Sequence, residues 1–219
     1  MTKDIIPTIF ALDKKIFDKK LTLLTKFSKT LHMDFCDGKF VKTNTIPLKE
    51  CLEIKQYSNK IQFQIHLMAV DPLKYISEIL ELGIQKVFFH FEISKDKNKL
   101  LEIKNEFEKH NLNVGLVINP DTKIDEIISI LSNFKFLMIM SVVPGAEGQS
   151  FDSNAVKKVK QLKSVYPNLY IQVDGGLKLE ETELLNEAGC DGFCVGSFIS
   201  SAPNPEQNYY NLLSIVKNT

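Results

Sequence analysis

Four residues in three short apolar runs are of the types that together hold a divalent cation. LHMDFCDG carries His32 and Asp34, FQIHLM carries His66, and IQVDGG carries Asp174. His32 and Asp34 are two apart, so on an extended strand both side chains leave the same face. Taken singly, each has a plainer use. A histidine at a strand end is often a hydrogen-bonded structural residue, and an aspartate before two glycines is turn chemistry. Gathered at one place, two imidazoles and two carboxylates are costly to desolvate unless a cation balances them. Mixed nitrogen and oxygen donors suit one divalent transition metal ion (zinc, iron, manganese or cobalt) better than magnesium or calcium.

A second set of residues suits an anion. PGAEGQ contains Gly145, Ala146, Glu147 and Gly148; Gly175-Gly176 follows the third run, and Gly196-Ser197 lies further on. Glycines let a backbone approach a ligand closely and present its N–H groups. Tight turns would use the same residues, but three such loops in succession favour phosphate. All 27 cationic residues are lysines and none is arginine, so an anion is held by amides or lysines, without guanidinium forks.

The elements that must position these residues alternate along the chain. Strands are expected at 5–10, 30–35, 61–67, 86–91, 113–118, 134–140, 169–173 and 192–196. Helices are expected at 13–28, 47–58 (weak), 71–82, 95–110, after Asp121-Thr122, around 156–162, at 179–188 and at 205–217. In the helix after Asp121-Thr122, which serve as its cap, Ile124, Ile127, Ile128 and Leu131 share one face. Eight near-continuous apolar strands, each followed by a helix, describe an α/β protein with a parallel eight-stranded (β/α)8 TIM barrel, one domain over 1–219. An open doubly wound sheet is the alternative, since periodicity does not show closure. In such a barrel the site lies at the C-terminal strand ends, and all four candidate ligands project toward that mouth. Loops after strands seven and eight are its habitual phosphate site.

Composition narrows the partners. The formal net charge is zero over 219 residues, so no global field draws the chain to nucleic acid or membrane. MTKDIIPTIF is not a signal peptide, and no apolar run reaches the roughly 20 residues of a membrane span, so a cytoplasmic location is expected. Cys36, Cys51, Cys190 and Cys194 read as reduced, mostly buried thiols; the last two lack the second pair that a zinc site needs. His90, beside Glu92, is expected to line the pocket or sit in the core, and His110 to lie on the surface at a helix end.

At these residues the chain resembles the ribulose-phosphate 3-epimerase family, over essentially its whole length. The carriers are PTIF near the start, HMDFCDGKFV (32–41), HLM (66–68), MSVVPGAEGQSF (140–151), VDGG (173–176) and Gly196-Ser197. The resemblance implies a (β/α)8 barrel that inverts C3 of a ketopentose 5-phosphate, interconverting D-ribulose and D-xylulose 5-phosphates in the pentose phosphate pathway. It implies His32, Asp34, His66 and Asp174 as metal ligands, with Asp34 and Asp174 also acting as acid and base. It further implies that Thr8 takes the place of a substrate-contacting serine, that Met68 and Met140 cap the intermediate, and that the protein is a homo-oligomer. His66 and the glycine loops would meet the sugar phosphate.

The chain departs from the family pattern in three places. Cys36 stands where a third cap methionine is usual, and can pack inertly or make the site prone to oxidation. GAEG replaces Gly-Phe-Gly-Gly, so Glu147 would weaken phosphate binding unless it points to solvent. Val41-Lys42-Thr43 replaces Val-Pro-Asn, with Lys39 or Lys42 as a substitute charge. Two alternatives follow: a 3-epimerase of a ketohexose 6-phosphate such as allulose 6-phosphate, and a catalytically silent sugar-phosphate-binding barrel. A decarboxylase or aldolase would need a lysine at a strand end, and no strand ends in one.

Overall fold

Closure, the property that periodicity does not reveal, is settled by the pairing of the first strand with the last. In the computed structural model, which describes residues 3–217, Asp4 lies opposite Gly192 and Pro7 opposite Val195. The strands are β1 (Asp4–Ile9), β2 (Thr30–Cys36), β3 (Gln62–Met68), β4 (Lys86–His90), β5 (Asn113–Ile118), β6 (Phe136–Met140), β7 (Tyr170–Asp174) and β8 (Gly192–Val195). They form a closed parallel barrel in sequence order, a (β/α)8 TIM barrel.

Period-two alternation divides the side chains between two cores. Leu31, Met33 and Phe35 of β2, and Phe63, Ile65 and Leu67 of β3, turn outward and join the large cluster under the helices. The alternate positions turn inward. There Phe88, Val117, Met138 and Met140 form a separate apolar plug on one side of the barrel. Other inward positions are polar and buried, among them His32, Gln64, His66, His90, Gln172 and Asp174, and Cys36 and Met68 make a smaller apolar cluster with Phe10. Full burial of each large apolar side chain contributes about 1.5–3 kcal/mol, and the plug rests on one glycine. A β-carbon on Gly115 would stand 2.3 Å from the Phe88 ring, so any side chain there would displace it.

The helices are α1 (Lys14–Leu24), α2 (Ile76–Leu82), α3 (Lys97–Lys109), α4 (Ile124–Leu131), α5 (Asn154–Val165), α6 (Leu179–Glu187), α7 (Ser197–Ser200) and α8 (Pro205–Lys217). Asp13 and Asp96 cap α1 and α3 by accepting from Ile16 N and Asn98 N, and Gly83 ends α2 at φ 72°. Three expectations change. Residues 47–58 form two 3-10 turns, Leu48–Glu50 and Leu52–Tyr57, because the buried residues Leu48, Cys51 and Ile54 recur every third position. Asp121 and Thr122 do not cap α4; Lys123 holds that position, and the Thr122 hydroxyl donates to Glu92 instead. Ile128 is 41% exposed while Ile130 is buried, so α4 is rotated toward its other flank. Helix α7, one turn after β8, was not expected from the pattern. No helix among the described residues is long and apolar enough to cross a membrane.

Candidate active site

Register brings the four candidate ligands together. Asp34 of β2 pairs with His66 of β3 across the sheet, and Thr8 of β1 with His32. Asp174 ends β7, whose neighbour toward the plug is Met140. One donor atom from each of His32, Asp34, His66 and Asp174 lies within 4.8 Å of all the others. His66 Nδ1 is 2.9 Å from Asp34 Oδ1 and 3.9 Å from Asp174 Oδ2. His66 is not the last residue of its strand, which continues to Met68, and it is fully buried.

Two observations fit this set to a cation. His32 Nε2 is fully buried and lacks a hydrogen-bond partner, with Asp34 Oδ1 3.4 Å away. Such an atom is costly unless something takes its lone pair. The other nitrogens of both histidines are already engaged on the far side. His32 Nδ1 is 2.8 Å from the side-chain amide of Gln64. The atom there is the amide nitrogen; ligation through Nε2 requires the proton on Nδ1, and so the Gln64 amide turned to present its oxygen. His66 Nε2 is 2.8 Å from His90 Nε2, and His90 Nδ1 is 3.0 Å from Glu92 Oε2. If Nδ1 of His66 is a ligand, its Nε2 carries a proton and donates to His90. His90 must then carry its own proton on Nδ1 and donate it to Glu92. Glu92 in turn accepts from Asn119 N at 2.8 Å and from the Thr122 hydroxyl. Lys158 holds that loop by donating to the carbonyls of Asn119, Pro120 and Thr122. A carboxylate behind a ligating histidine fixes its tautomer and raises its basicity. Glu92→Gln is therefore expected to weaken Zn2+ affinity by roughly 10–100-fold. Titrating chelator-stripped protein against a competing indicator measures this, and an unchanged Kd would remove Glu92 from the chain.

Electrostatics separate the two carboxylates. Burial drives Asp34 upward, but the imidazoles of His32 and His66, 3.4 and 2.9 Å from its Oδ1, outweigh it and hold the carboxyl well below the usual range. Asp174 moves the other way, raised by burial first and then by the charge of Asp34, with Glu147 adding to it. Burial pushes His66 down to about 4, so at neutral pH it is the neutral imidazole that ligation requires. His32 is raised: burial lowers it, and the charges of Asp34 and Asp174 more than offset that.

Above the cluster opens a cavity of about 550 Å3. Asp34, Asp174, Thr8, Met68 and Met140 line its floor and wall. Gly145, Ala146, Glu147 and Gly148 form one rim, and Gly175, Gly176, Gly196 and Ser197 the other. His66 and His32 sit behind this surface, fully buried. Gly175 and Gly176 are dictated by conformation and space together. Their φ values are 113° and 66°, and β-carbons there would stand 2.4 Å from Val142 and 2.8 Å from the Phe151 nitrogen. Lys39 and Lys42 are exposed and do not line the cavity. Lys20 reaches the rim instead, 2.8 Å from both oxygens of Glu147. The Cys36 thiol is buried 3.6 Å from Met68 Sδ, and burial with the nearby charges of Asp34 and Asp37 pushes it far above its usual range. The thiol is packed against Phe10 and Met68, which favours packing over reactivity for that departure.

Two contributors escaped the sequence reading. The His90–Glu92 pair carried a signal, a histidine and a glutamate two apart at a strand end, but only the β3–β4 register shows that it backs His66. The Lys20–Glu147 contact joins residues on α1 and on the loop after β6, and no local pattern announces it.

Comparison with known proteins agrees with this geometry. Residues 4–200 match the model of the ribulose-phosphate 3-epimerase family. The chain is 30% identical over 206 residues to the ribulose-phosphate 3-epimerase of Schizosaccharomyces pombe, covering 93% of this chain and 89% of that one. It is 30% identical over 178 residues to the cytoplasmic isoform of ribulose-phosphate 3-epimerase from Oryza sativa subsp. japonica, covering 80% of this chain and 77% of that one. Among solved structures, 3-hexulose-6-phosphate synthase from Salmonella typhimurium superposes with a TM-score of 0.76 over 99% of both chains, at 11% identity, a likeness of fold alone.

Proposed function

The chain belongs to the ribulose-phosphate 3-epimerase family and is an isomerase, and from that premise we propose that it inverts C3 of a ketopentose 5-phosphate, interconverting D-ribulose and D-xylulose 5-phosphates. The observation that carries this reading is the convergence of four donors within 4.8 Å, with Asp34 and Asp174 on the floor of a cavity rimmed by glycine loops and His32 and His66 behind it. Asp34 and Asp174 act as the two proton-transfer groups. One removes the C3 proton from one face of the substrate, and the other returns a proton to the opposite face. Their opposed electrostatic settings support the division, since one stays ionised while the other tends to hold a proton. They titrate as a pair, so the roles exchange with the direction of reaction. His32, Asp34, His66 and Asp174 hold one divalent transition metal ion. When bound, that ion supplies Lewis-acid stabilisation of the negative charge that develops as the C3 proton leaves. Met68 and Met140 exclude water from the reacting carbon. Gly145, Gly148, Gly175, Gly176, Gly196 and Ser197 offer amides to the phosphate, and Thr8 and Ala146 complete the wall. We place the enzyme in the cytoplasm, as the name of the rice relative states for that protein.

Incubating the enzyme with D-ribulose 5-phosphate in heavy water tests this directly. Deuterium is expected at C3 of both pentuloses, with kcat/KM at least about tenfold higher than for allulose 6-phosphate, a discrimination that a fitted polar pocket readily provides. Absence of exchange would leave a silent sugar-phosphate-binding barrel, and a preference for the hexulose would reassign the substrate.

A further inference from the structure

The phosphate rim of this barrel contains a resident anion. Glu147 lies in the loop after β6 between Gly145 and Gly148, both at positive φ, 104° and 79°. Its carboxylate does not point away into solvent. Oε1 stands 3.0 Å from where a β-carbon on Gly196 would be, with the β-carbon of Thr8 4.0 Å from the same point. That places the carboxylate over the loop after β8, within the rim assigned to the substrate's phosphate. Glu147 lines the same cavity as Asp174.

The carboxylate is held there by one lysine. Lys20 Nζ is 2.8 Å from both oxygens of Glu147 and donates at 2.9 Å to the carbonyl of Phe10 at the end of β1. The Lys20 side chain is 11% exposed and that of Glu147 is 31% exposed. The lysine is thus the fixed member, packed on α1 and tethered to β1, whereas the glutamate rides on a glycine-flanked loop. Lys178, at the start of α6, is another lysine lining the cavity, but Lys20 is the one whose ammonium group is bound to the Glu147 carboxylate. A phosphate dianion and a carboxylate cannot share so small a volume without strong repulsion.

We propose that Lys20 is a phosphate-binding residue masked by Glu147 in the free enzyme, and that the substrate's phosphate binds by displacing the Glu147 carboxylate from it. In a chain without arginine, Lys20 adds a buried positive charge to the amides of this rim. Glu147 acts as an internal competitor that sets the affinity for any phosphate-bearing ligand. This rests on the phosphate reading of the rim given above, and the experiment separates the two.

The probes are inorganic phosphate, as a competitive inhibitor, and D-ribulose 5-phosphate, as substrate of the metal-loaded enzyme. Glu147→Gln keeps the shape and removes the charge; it is expected to lower both the inhibition constant of phosphate and KM on the order of fivefold. Lys20→Met is expected to raise both on the order of tenfold. In each variant the change in KM exceeds the change in kcat. With Lys20 already replaced, removing the Glu147 charge should lower KM less than it does in the wild type, because the carboxylate then has no lysine to mask. If Glu147→Gln leaves the phosphate inhibition constant unchanged or raises it, the displacement is refuted and the pair is a structural tie between α1 and the loop. That variant alters an isosteric group on a surface loop, so it decides the matter even if Lys20→Met fails to fold. If phosphate does not compete with substrate in the wild type, the phosphate reading itself fails, and this proposal falls with it.

Discussion

Asp174→Asn is expected to lower kcat by about 10^3-fold or more while leaving the barrel intact. Loss of a positioned acid–base group costs about 10^2–10^4-fold, and this residue also serves as a ligand in the proposed mechanism. The fold has little stake in the carboxylate. The main-chain carbonyl of residue 174 accepts from Ser141 N at 2.9 Å and from the Ser141 hydroxyl at 3.0 Å, and an asparagine keeps both. The side chain itself is a burden on the free protein, buried beside Asp34 and raised by both effects. Replacing it with a neutral amide should therefore leave Tm unchanged or slightly higher, as far-UV circular dichroism during heating would show. A stable variant with near-normal turnover would end the assignment of Asp174 as an acid–base group. A stable variant that loses turnover and also loses C3 exchange in heavy water locates the defect at proton transfer rather than at product release.

The opposed settings of Asp34 and Asp174 follow from their neighbours. Asp34 lies between two imidazoles, at 2.9 Å and 3.4 Å, and is stabilised as an anion. Asp174 touches His66 only at 3.9 Å and faces Asp34 and Glu147 as like charges. A divalent cation would offset that repulsion, which is why four such groups can be buried together at all. The same reasoning shows why the rim matters. Glu147 adds one more negative charge to a mouth proposed to take a dianion, and Lys20 is placed to cancel it.

How much of this was legible in the chain depends on the range of the contact involved. His32 and Asp34 could be assigned to one face because period-two geometry is local, and Asp174 because a strand end followed by Gly-Gly is local too. Their convergence followed from one rule about barrel mouths. Closure was not legible, since it rests on Asp4 meeting Gly192, far apart in sequence. Residues 47–58 misled because Leu48, Cys51 and Ile54 repeat every third position, and a three-residue period read at coarse resolution resembles a weak α-helix. Ile128 misled because α4 could turn either flank inward, and packing chose Ile130. The support behind His66 stayed hidden because it runs from β3 to β4 to the loop at 119–122; the His90–Glu92 step is local, but the steps from His66 to His90 and from Glu92 to Asn119 are long-range contacts.

Replacing His66 tests that support and the metal centre together. His66→Ala is expected to lower bound metal to a small fraction of the wild-type content and kcat/KM by more than about 100-fold. Loss of an outer-shell partner already costs about 10–100-fold in affinity or activity, and His66 is placed in the inner shell. The substitution removes the Nδ1 donor, frees Asp34 from its 2.9 Å partner and leaves His90 Nε2 facing an empty space. Because His66 is fully buried, the alanine also opens a cavity and lowers Tm, so rate alone would not discriminate a lost ligand from a loosened fold. Metal content does discriminate. His66→Gln fills most of the volume without restoring the imidazole. It should recover much of the Tm and little of the metal, measured by elemental analysis of protein purified without chelator. If both variants keep full metal content, His66 is a structural residue and the ion, where bound, rests on His32 and the two carboxylates. If Glu92→Gln weakens metal binding in the wild type but adds nothing in His66→Gln, the glutamate acts through that imidazole. Additive losses would instead mean that Glu92 reaches the site by another route.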